Sequence, residues 1–265
     1  MSAKPPPLRR LVASIWPPLA VLIIGMILLE LYVRWANTPI YLVPRPSKVV
    51  STLAEERGYL LAALWSTTKA ALIGFLASAV FGVAIAMVLA SSIWVRRAFS
   101  PYTVFFQTVP IIAVAPMLSI WLAPGLQAVA ACAFIVSVFP VIANTLAGLV
   151  ATDAALVDLF RLYGASRAAT MFKLRFPSSL PNVFTGLRVA AGLTVIGTVV
   201  AEFLVGELGQ AQGLGVVIVS ASHNGHSDRV FAAVLLASAL GLAMFGAVNL
   251  VGRLVLANWY APARE

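Results

Sequence analysis

The side chains that could support catalysis or metal binding are few in this chain and form no familiar pattern. His223 and His226 stand in one short loop and could share a metal ion, although histidines in surface loops more often face solvent. Cys132 is the only cysteine and lies in an apolar run, which excludes an intrachain disulfide and a cysteine-based metal site. No Gly-rich phosphate loop with Lys and Ser/Thr is present, and no Ser/His/Asp set suggests itself. We therefore predict a non-catalytic chain with no metal and no cofactor of its own, whose energy source would lie in another protein.

The segment from Asp158 to Pro177, DLFRLYGASRAATMFKLRFP, carries four cations in hydrophobic surroundings. It could be a solvated loop, a helix lying on the membrane surface, or an element that docks into another protein. A surface helix needs its cations on one face. At ~100° per residue, Arg161, Arg167 and Lys173 lie about 240° apart in succession, which scatters them around the helix. This arrangement disfavours the membrane-surface interpretation.

The apolar side chains of the same segment favour docking. Leu159, Phe160, Leu162 and Tyr163 are bulky, yet the segment is too short and too charged to cross a bilayer. Gly164 permits a turn with positive φ, which would separate two short helices. We predict a helix-turn-helix that projects into the cytoplasm at about residues 153–178, called the knob below.

The second helix of the knob has its own start and stop signals. Ser166 can cap a helix that runs from Arg167 to about Arg175. Pro177 and Pro181 predict a break between this helix and the next membrane span. The two prolines would then set the angle between the knob and that span.

The composition places the knob in an all-α integral membrane protein. Hydrophobic residues make up 61% of the chain, charged residues make up 10%, and the mean hydropathy is +0.98. A soluble domain carries roughly 25% charged residues. The net charge of +9 is explained by cations that cluster between apolar spans, so we do not predict a nucleic-acid partner.

The apolar runs predict about six transmembrane helices within one domain, residues 11–258, flanked by cytoplasmic tails 1–10 and 259–265. The stretch from Ala98 to Thr152 contains no charged residue and is too long for one crossing, so the sequence APG at Ala123–Gly125 is predicted to turn the chain between two spans. The other spans are predicted at about 11–33, 60–95, 180–207 and 230–256.

The distribution of cations predicts the orientation of these spans. With the N-terminus inside, only six of the 18 Lys and Arg residues fall on outer segments: Arg34, Arg45, Lys48, Arg57, Lys69 and Arg229. Cytoplasmic loops carry an excess of Lys and Arg. We therefore predict that both termini and the knob lie in the cytoplasm.

Several polar side chains within the apolar spans are candidates for a translocation pathway. Gln107, Asn144 and Thr145 could line it, although hydrogen bonds between helices are the commoner role of such groups. Glu202 lies towards the outer end of the fifth span, where it could serve an outer gate or act as an interfacial structural carboxylate.

Small residues on the later spans predict close helix packing, because a glycine lets two helix backbones approach each other. Gly186, Gly192 and Gly197 are the candidates on the fifth span.

The spacing of the knob resembles the EAA loop of ABC importer permeases. That loop has an acid followed by two small or apolar residues, then a Gly, then a hydrophobic residue before x-Leu-Pro. Here the corresponding residues are Asp158-Leu159-Phe160, Gly164 and Leu174-Arg175-Phe176-Pro177. Asp replaces Glu, Leu-Phe replaces Ala-Ala and Phe replaces Leu, but the spacing is kept.

The wider sequence also resembles permeases of the nitrate/sulfonate/taurine group, and the similarity covers about residues 15–258. It is carried by three stretches: LYGASRAATMFKLRFPSSLPNVFTGLRVAAGLTVIGTVVAEF, VPRPSKVV and AQGLGVVI.

The resemblance implies a type I ABC importer permease fold in a bacterial inner membrane, with the knob as the coupling-helix loop between spans four and five. The knob would sit in a groove of a cytoplasmic ABC ATPase dimer, which would bind ATP and Mg²⁺. A second copy of the chain would complete the pathway, and a periplasmic or lipid-anchored solute-binding protein would deliver the solute. The residues implied in coupling to the ATPase are Asp158, Leu159, Phe160, Tyr163, Gly164, Ala165, Ser166, Leu174, Phe176 and Pro177.

The substrate stays open at this point. The group includes carriers of nitrate, sulfonates and taurine, and carriers of pyrimidine vitamin precursors or riboflavin-like aromatics. SVFPVIANTLAGL and FAAVLLASALGLAMFGAV resemble the latter, and spans with few cations suit a neutral or aromatic solute better than a small anion. The alternatives to an importer subunit are a stand-alone secondary transporter or channel, for which no internal repeat is evident, and a membrane enzyme, for which no catalytic cluster is evident.

Overall fold

A computed structural model of the protein describes residues 7–206 and 212–257. Within these ranges it leaves out the side chains of residues 7–15, 18, 19, 100, 103, 104, 106 and 107. The described residues contain helices and turns but no strand. The elements are α1 (Pro7–Trp35), α2 (Pro46–Glu55), α3 (Arg57–Ser91), α4 (Ile93–Thr108), α5 (Ile111–Trp121), α6 (Leu126–Val150), α7 (Ala154–Leu162), α8 (Arg167–Thr170), a π-helical turn (Met171–Arg175), α9 (Phe176–Gly206), α10 (Leu214–His223) and α11 (Ser227–Ala257).

Among the described residues, four helical segments are long and apolar enough to cross a membrane. They are α3, α6, the segment Arg167–Val205 and α11. The all-α membrane architecture is thereby confirmed, whereas the count of six spans is not. The predicted first span coincides with α1. The side chains of the opening residues of α1 lie outside the described part of the structure, and so do most of the tail 1–10 and all of the tail 259–265.

The predicted third span is not one helix. The chain forms α4 and α5, which are separated at Val109 and Pro110. Pro110 has no N–H to donate and disfavours helical torsions in the residue before it. Val109 accordingly adopts an extended conformation, with φ −67° and ψ 121°. The stretch between α3 and α6 is therefore built from two short helices.

The turn predicted at Ala123–Gly125 is confirmed. Ala123 has a φ of 62°, and Gly125, the N-cap of α6, has a φ of 129°. These positive values reverse the chain between α5 and α6, and a glycine accommodates its value without steric strain.

The core is formed where α6 packs between α3 and α9. A Cβ atom added at Gly74 of α3 would lie 2.6 Å from the Cβ of Ala133, and one added at Gly82 would lie 2.8 Å from the Cβ of Val141. Both contacts ascend α3 and α6 in the same order, so the two helices run parallel with their backbones in close approach.

The α6–α9 interface confirms part of the glycine prediction. A Cβ added at Gly186 would lie 3.0 Å from the Cβ of Asn144, and one added at Gly197 would lie 3.2 Å from the Cβ of Val136. As the residue number rises along α9, the number of the contacted residue falls along α6, so the two helices are antiparallel. The prediction is wrong for Gly192, because no atom lies within 4 Å of its added Cβ and the residue does not face the contact.

The prediction that Pro177 and Pro181 break the chain before the next span is also wrong. The helix continues from Arg167 to Val205. The π turn begins at Met171, and the N–H of Phe176 donates to the Met171 carbonyl. This turn adds one residue to the helix where the Pro177 ring would otherwise meet the carbonyl of the preceding turn, so the helix passes the proline without ending.

The end of the bundle opposite the knob, called the far end below, is stabilised by polar contacts. Thr52 of α2 donates to Asp228 of α11 over 2.7 Å. Arg229 forms an ion pair with Glu56 at 2.6 Å. The short helix α2 is thereby fixed against the start of α11.

An ion pair between residues four positions apart lies at the end of α1. Arg34 Nη2 lies 2.8 Å from Glu30 Oε1. Ser47 of α2 also donates its hydroxyl to Glu30 over 2.9 Å, which links α1 to α2.

Candidate functional site

The knob has the helix-turn-helix geometry that its sequence predicts. Asp153 caps α7 by accepting from the N–H of Ala155 over 2.8 Å. At the other end of α7 the N–H of Gly164 donates to the carbonyl of Arg161 over 2.9 Å. Gly164 has a φ of 69°, the left-handed conformation with which many helices end. A residue with a Cβ would be strained at this position.

The second half of the knob leads directly into α9. The Ser166 hydroxyl accepts from the N–H of Ala169 over 3.1 Å and so caps α8, as predicted. Because α8, the π turn and α9 are continuous, the turn of the knob is mounted on one end of a membrane-length helix. No loop separates the second half of the knob from this span.

The tip of the knob presents apolar side chains that pack on nothing in the described chain. Leu162 is 85% exposed and Tyr163 is 84% exposed. Leu159 is also exposed, whereas Val157 is buried and Phe160 is half-buried. The tip lies between charged residues rather than within an apolar span, so these side chains form a surface suited to a protein partner.

The remaining residues implied in coupling divide into two groups. Asp158 is exposed and pairs with Arg161 at 3.0 Å on the surface of α7, a contact worth at most about 1 kcal/mol. Phe176 packs against the buried cluster that contains Ala90 and Leu149. Ala165, Leu174 and Pro177 are half-buried, whereas Ser166 is exposed. The exposed group, Asp158 and Ser166, is available for contact, and Phe176 of the more buried group packs the knob against the bundle.

Glu202 lies at the far end of α9, where its carboxylate is enclosed by α3 and α10. The side chain is 2% exposed. Thr67 donates to Glu202 Oε1 over 2.9 Å, and the N–H of Gly215 donates to Oε2 over 2.8 Å. The N–H of Leu214 in turn donates to the Thr67 hydroxyl over 2.9 Å. The carboxylate and the hydroxyl thus satisfy two of the free N–H groups in the first turn of α10.

Two glycines make room for this carboxylate. A Cβ at Gly213 would collide with Glu202 Oε1, and a Cβ at Gly215 would lie 2.6 Å from the Glu202 Cβ. This arrangement matches the interpretation of Glu202 as a structural carboxylate, one of the two alternatives left open by the sequence. Sequence reasoning does not single out Thr67, although it lies on the small-residue face of α3 that includes Ala63 and Ala70.

The other pathway candidates do not join Glu202 in one cluster. Asn144 is half-buried and donates back to the carbonyl of Pro140 over 2.9 Å. Thr145 is fully buried, and its hydroxyl has no hydrogen-bond partner among the described residues. Gln107 belongs to α4, but its side chain lies outside the described part of the structure.

The histidines and acids of the described chain do not assemble a metal site. No group of three or more His, Cys, Asp or Glu side chains in residues 7–206 and 212–257 is arranged to hold a metal ion. His223 and His226 are both exposed at the end of α10.

Comparison with known proteins agrees with this architecture. The chain is 30% identical over 250 residues to the formylaminopyrimidine transport permease protein ThiX of Halalkalibacterium halodurans, covering 94% of this chain and 98% of that protein. It is 28% identical to the riboflavin transport system permease protein RibX of Chloroflexus aurantiacus, covering 97% and 96% of the two chains.

The fold is also found among solved structures. A chain of the MetNI methionine ABC transporter in an inward-facing conformation matches with a TM-score of 0.64 and 18% identity, covering 76% of this chain and 98% of that one. Residues 58–256 match the family described as binding-protein-dependent transport system inner membrane component. The protein therefore belongs to this family and is a permease subunit of an ABC importer for a small solute.

Proposed function

We propose that the knob couples this permease to a separate cytoplasmic ATPase dimer, which binds ATP and Mg²⁺ and supplies the energy of transport. In this proposal the chain pairs with a second copy to form the pathway in a bacterial inner membrane, with both termini in the cytoplasm. A periplasmic or lipid-anchored solute-binding protein delivers the solute at the far end.

The observation that carries the proposal is an exposed apolar tip that a continuous helix joins to the membrane span. Burial of an exposed Leu or Tyr side chain contributes about 1.5–3 kcal/mol, so an uncovered pair at a cytoplasmic turn favours a partner groove. Leu162 and Tyr163 supply that pair. The continuous helix from Arg167 to Val205 gives the movement of such a partner a direct route to the membrane span.

The test is to place a charge on this tip. Leu162→Asp and Tyr163→Asp are each expected to abolish both copurification of the ATPase and solute uptake, while the protein stays in the membrane. Tyr41→Asp is the matched control, because Tyr41 is also an exposed apolar side chain and lies at the far end, where its carbonyl accepts from Ser227. The control should retain the ATPase. Normal uptake and normal ATPase binding by both tip variants would refute the coupling role.

Backbone and charge variants of the knob test its shape. Gly164→Pro is incompatible with a φ of 69° and should abolish uptake, because the turn that presents the tip would be lost. Asp158→Lys should also abolish uptake by placing a cation on the contact surface beside Arg161. Uptake by the wild-type chain without any ATPase subunit would instead support the alternative of a stand-alone transporter.

We further propose a neutral or aromatic solute, such as a pyrimidine vitamin precursor or a riboflavin-like compound. The support is that the relatives matched over nearly their whole length are named as formylaminopyrimidine and riboflavin permeases. The competing candidate is a small anion, since the chain is also 27% identical to the taurine transport system permease protein TauC of Escherichia coli over 80% of each chain. Competition of labelled formylaminopyrimidine uptake by riboflavin and by taurine separates the two classes, and inhibition by taurine alone would contradict the proposal.

A further inference from the structure

A cleft of about 870 Å³ lies beside the knob, on the side that faces the ends of the membrane spans. One wall is the turn between α3 and α4, from Ser91 to Trp94. The other wall is the knob, which contributes Val157 and Arg161 from α7 and, from its second half, residues that include Arg167 and Arg175. Leu162 and Tyr163 of the tip do not line the cleft, whereas Arg161 and Ala165 on either side of the tip do.

The wall of the cleft carries cations but no carboxylate among its described residues. Arg161, Arg167 and Arg175 line it, and no Asp or Glu is found among the described residues of its wall. The Asp158 carboxylate that pairs with Arg161 lies on the surface of α7 outside the cleft. Three guanidinium groups around one concave space attract an anion with several acceptor oxygens, because each group offers a fork of N–H donors.

Arg175 points to a missing acceptor in the same place. Its Nε atom is buried and has no hydrogen-bond partner in the described chain. Its Nη1 reaches the Ala90 carbonyl only at 3.5 Å. Because an atom that is closed to water is closed to an anion as well, the cleft presents the Nη atoms of Arg175 rather than Nε. An anion in the cleft would replace the long contact of Nη1 with a charge-assisted hydrogen bond.

The lip of the cleft has the character of a membrane boundary. Ile93 and Trp94 line it and are exposed, Trp94 to 75%. They follow the end of α3, which is an apolar membrane-length helix, and precede Arg96 and Arg97 in the first turn of α4. Exposed Trp and basic residues at the end of a span are the usual features of the headgroup region.

We propose that the cleft binds the phosphate headgroup of an anionic lipid from the leaflet on the knob side, with its acyl chains leaving past Ile93 and Trp94. Arg167 and Arg175 hold the phosphate, and the lipid braces α8 and the π turn against the end of α3. Basic pockets between helices at the cytoplasmic boundary bind such headgroups. A free phosphate compound would account for the arginines but would make no use of the apolar lip. This inference does not depend on the coupling proposal, because Arg167 and Arg175 are not among the residues implied in coupling.

The test measures lipid binding by the purified full-length chain in neutral detergent. Native mass spectrometry would follow titrations with phosphatidylglycerol and with phosphatidylcholine of the same acyl chains. We expect retention of phosphatidylglycerol in preference to phosphatidylcholine. Arg167→Gln and Arg175→Gln should each weaken phosphatidylglycerol binding by about fivefold, the effect of one basic residue near an anionic surface.

Arg253→Gln is the matched control. Arg253 is an exposed cation in the half of α11 that contacts the knob-side part of α9, but it does not line the cleft. The control should bind phosphatidylglycerol like the wild-type chain. Because Arg167 is exposed, its variant is expected to fold even if Arg175→Gln does not.

Three outcomes would overturn the proposal. The first is equal binding of the two lipids by the wild-type chain. The second is a loss of phosphatidylglycerol binding in Arg253→Gln as large as that in Arg167→Gln. The third is complete displacement of the lipid by millimolar inorganic phosphate, which would indicate a site for a soluble anion.

Discussion

Thr67→Val is expected to destabilise the protein by releasing the start of α10. Valine keeps the shape of threonine, so the packing of α3 is retained and only the hydroxyl is removed. That hydroxyl donates to the Glu202 carboxylate and accepts from the N–H of Leu214. The substitution therefore leaves two buried polar groups with one partner fewer each.

The size of the stability loss depends on which hydrogen bonds each of the two polar groups retains. Glu202 keeps the N–H of Gly215 as a donor, whereas the described bond of the Leu214 N–H is to the Thr67 hydroxyl. An unsatisfied buried group costs about 1–3 kcal/mol, so we expect a total loss of about 2–4 kcal/mol. For a chain of this size about 1 kcal/mol shifts the Tm by roughly 2–4 °C, which predicts a decrease of roughly 5–15 °C.

The chain offers its own reporter for this measurement. Cys132 is the only cysteine and is fully buried, so a thiol-reactive fluorophore will label it only as the protein unfolds. The assay is thermal unfolding of the purified protein in detergent. Thr68→Val is the control, because Thr68 is the neighbouring threonine and its hydroxyl donates to the Leu64 carbonyl of its own helix. The control should lose less than about 3 °C. Equal Tm values for the two variants would refute the assignment of Glu202 and Thr67 as the cap of α10.

Two further substitutions test the helix packing in the same assay. Gly82→Ala should cost about 1–3 kcal/mol, because its Cβ would overlap the facing side chain of α6, whereas Gly246→Ala on α11 meets no atom within 4 Å and should be neutral or slightly stabilising. Similar Tm changes in both would contradict the close approach of α3 and α6. Thr145→Val should raise the stability by about 1 kcal/mol, since it removes a buried hydroxyl that has no described partner. A lower Tm together with lost uptake would show that this hydroxyl has a partner in the second copy or in the transported solute.

Local signals predicted much of the fold. The apolar composition predicts an all-α membrane protein because the chain has too few polar residues to face water on every side. The turn at Ala123–Gly125, the positive φ of Gly164 and the Ser166 cap were predictable, because each depends on a few adjacent residues. Pro110 gave a similar signal for the break between α4 and α5, although composition alone predicted one span there.

Other features depend on contacts between distant parts of the chain. Gly186 and Gly197 share one face of α9, whereas Gly192 lies about 240° around the helix from Gly186. Which of these faces meets α6 is set by the packing of α9 along its whole length. Glu202 meets Thr67 across 135 positions of sequence. The sequence therefore left open whether Glu202 serves an outer gate or is an interfacial structural carboxylate, and its contact with the start of α10 followed only from the assembly of α3, α9 and α10.

The sequence by itself determined that the protein is an all-α membrane protein with a helix-turn-helix knob, since composition and short-range spacing are sufficient for both. Only the tertiary structure decided that a π turn carries the helix past Pro177, and that Arg175 is brought to a cleft at the end of α3. The reason is physical. A turn or a cap is stabilised by its own neighbours, whereas the partner of a buried charge is chosen by helices that pack together from separate parts of the chain.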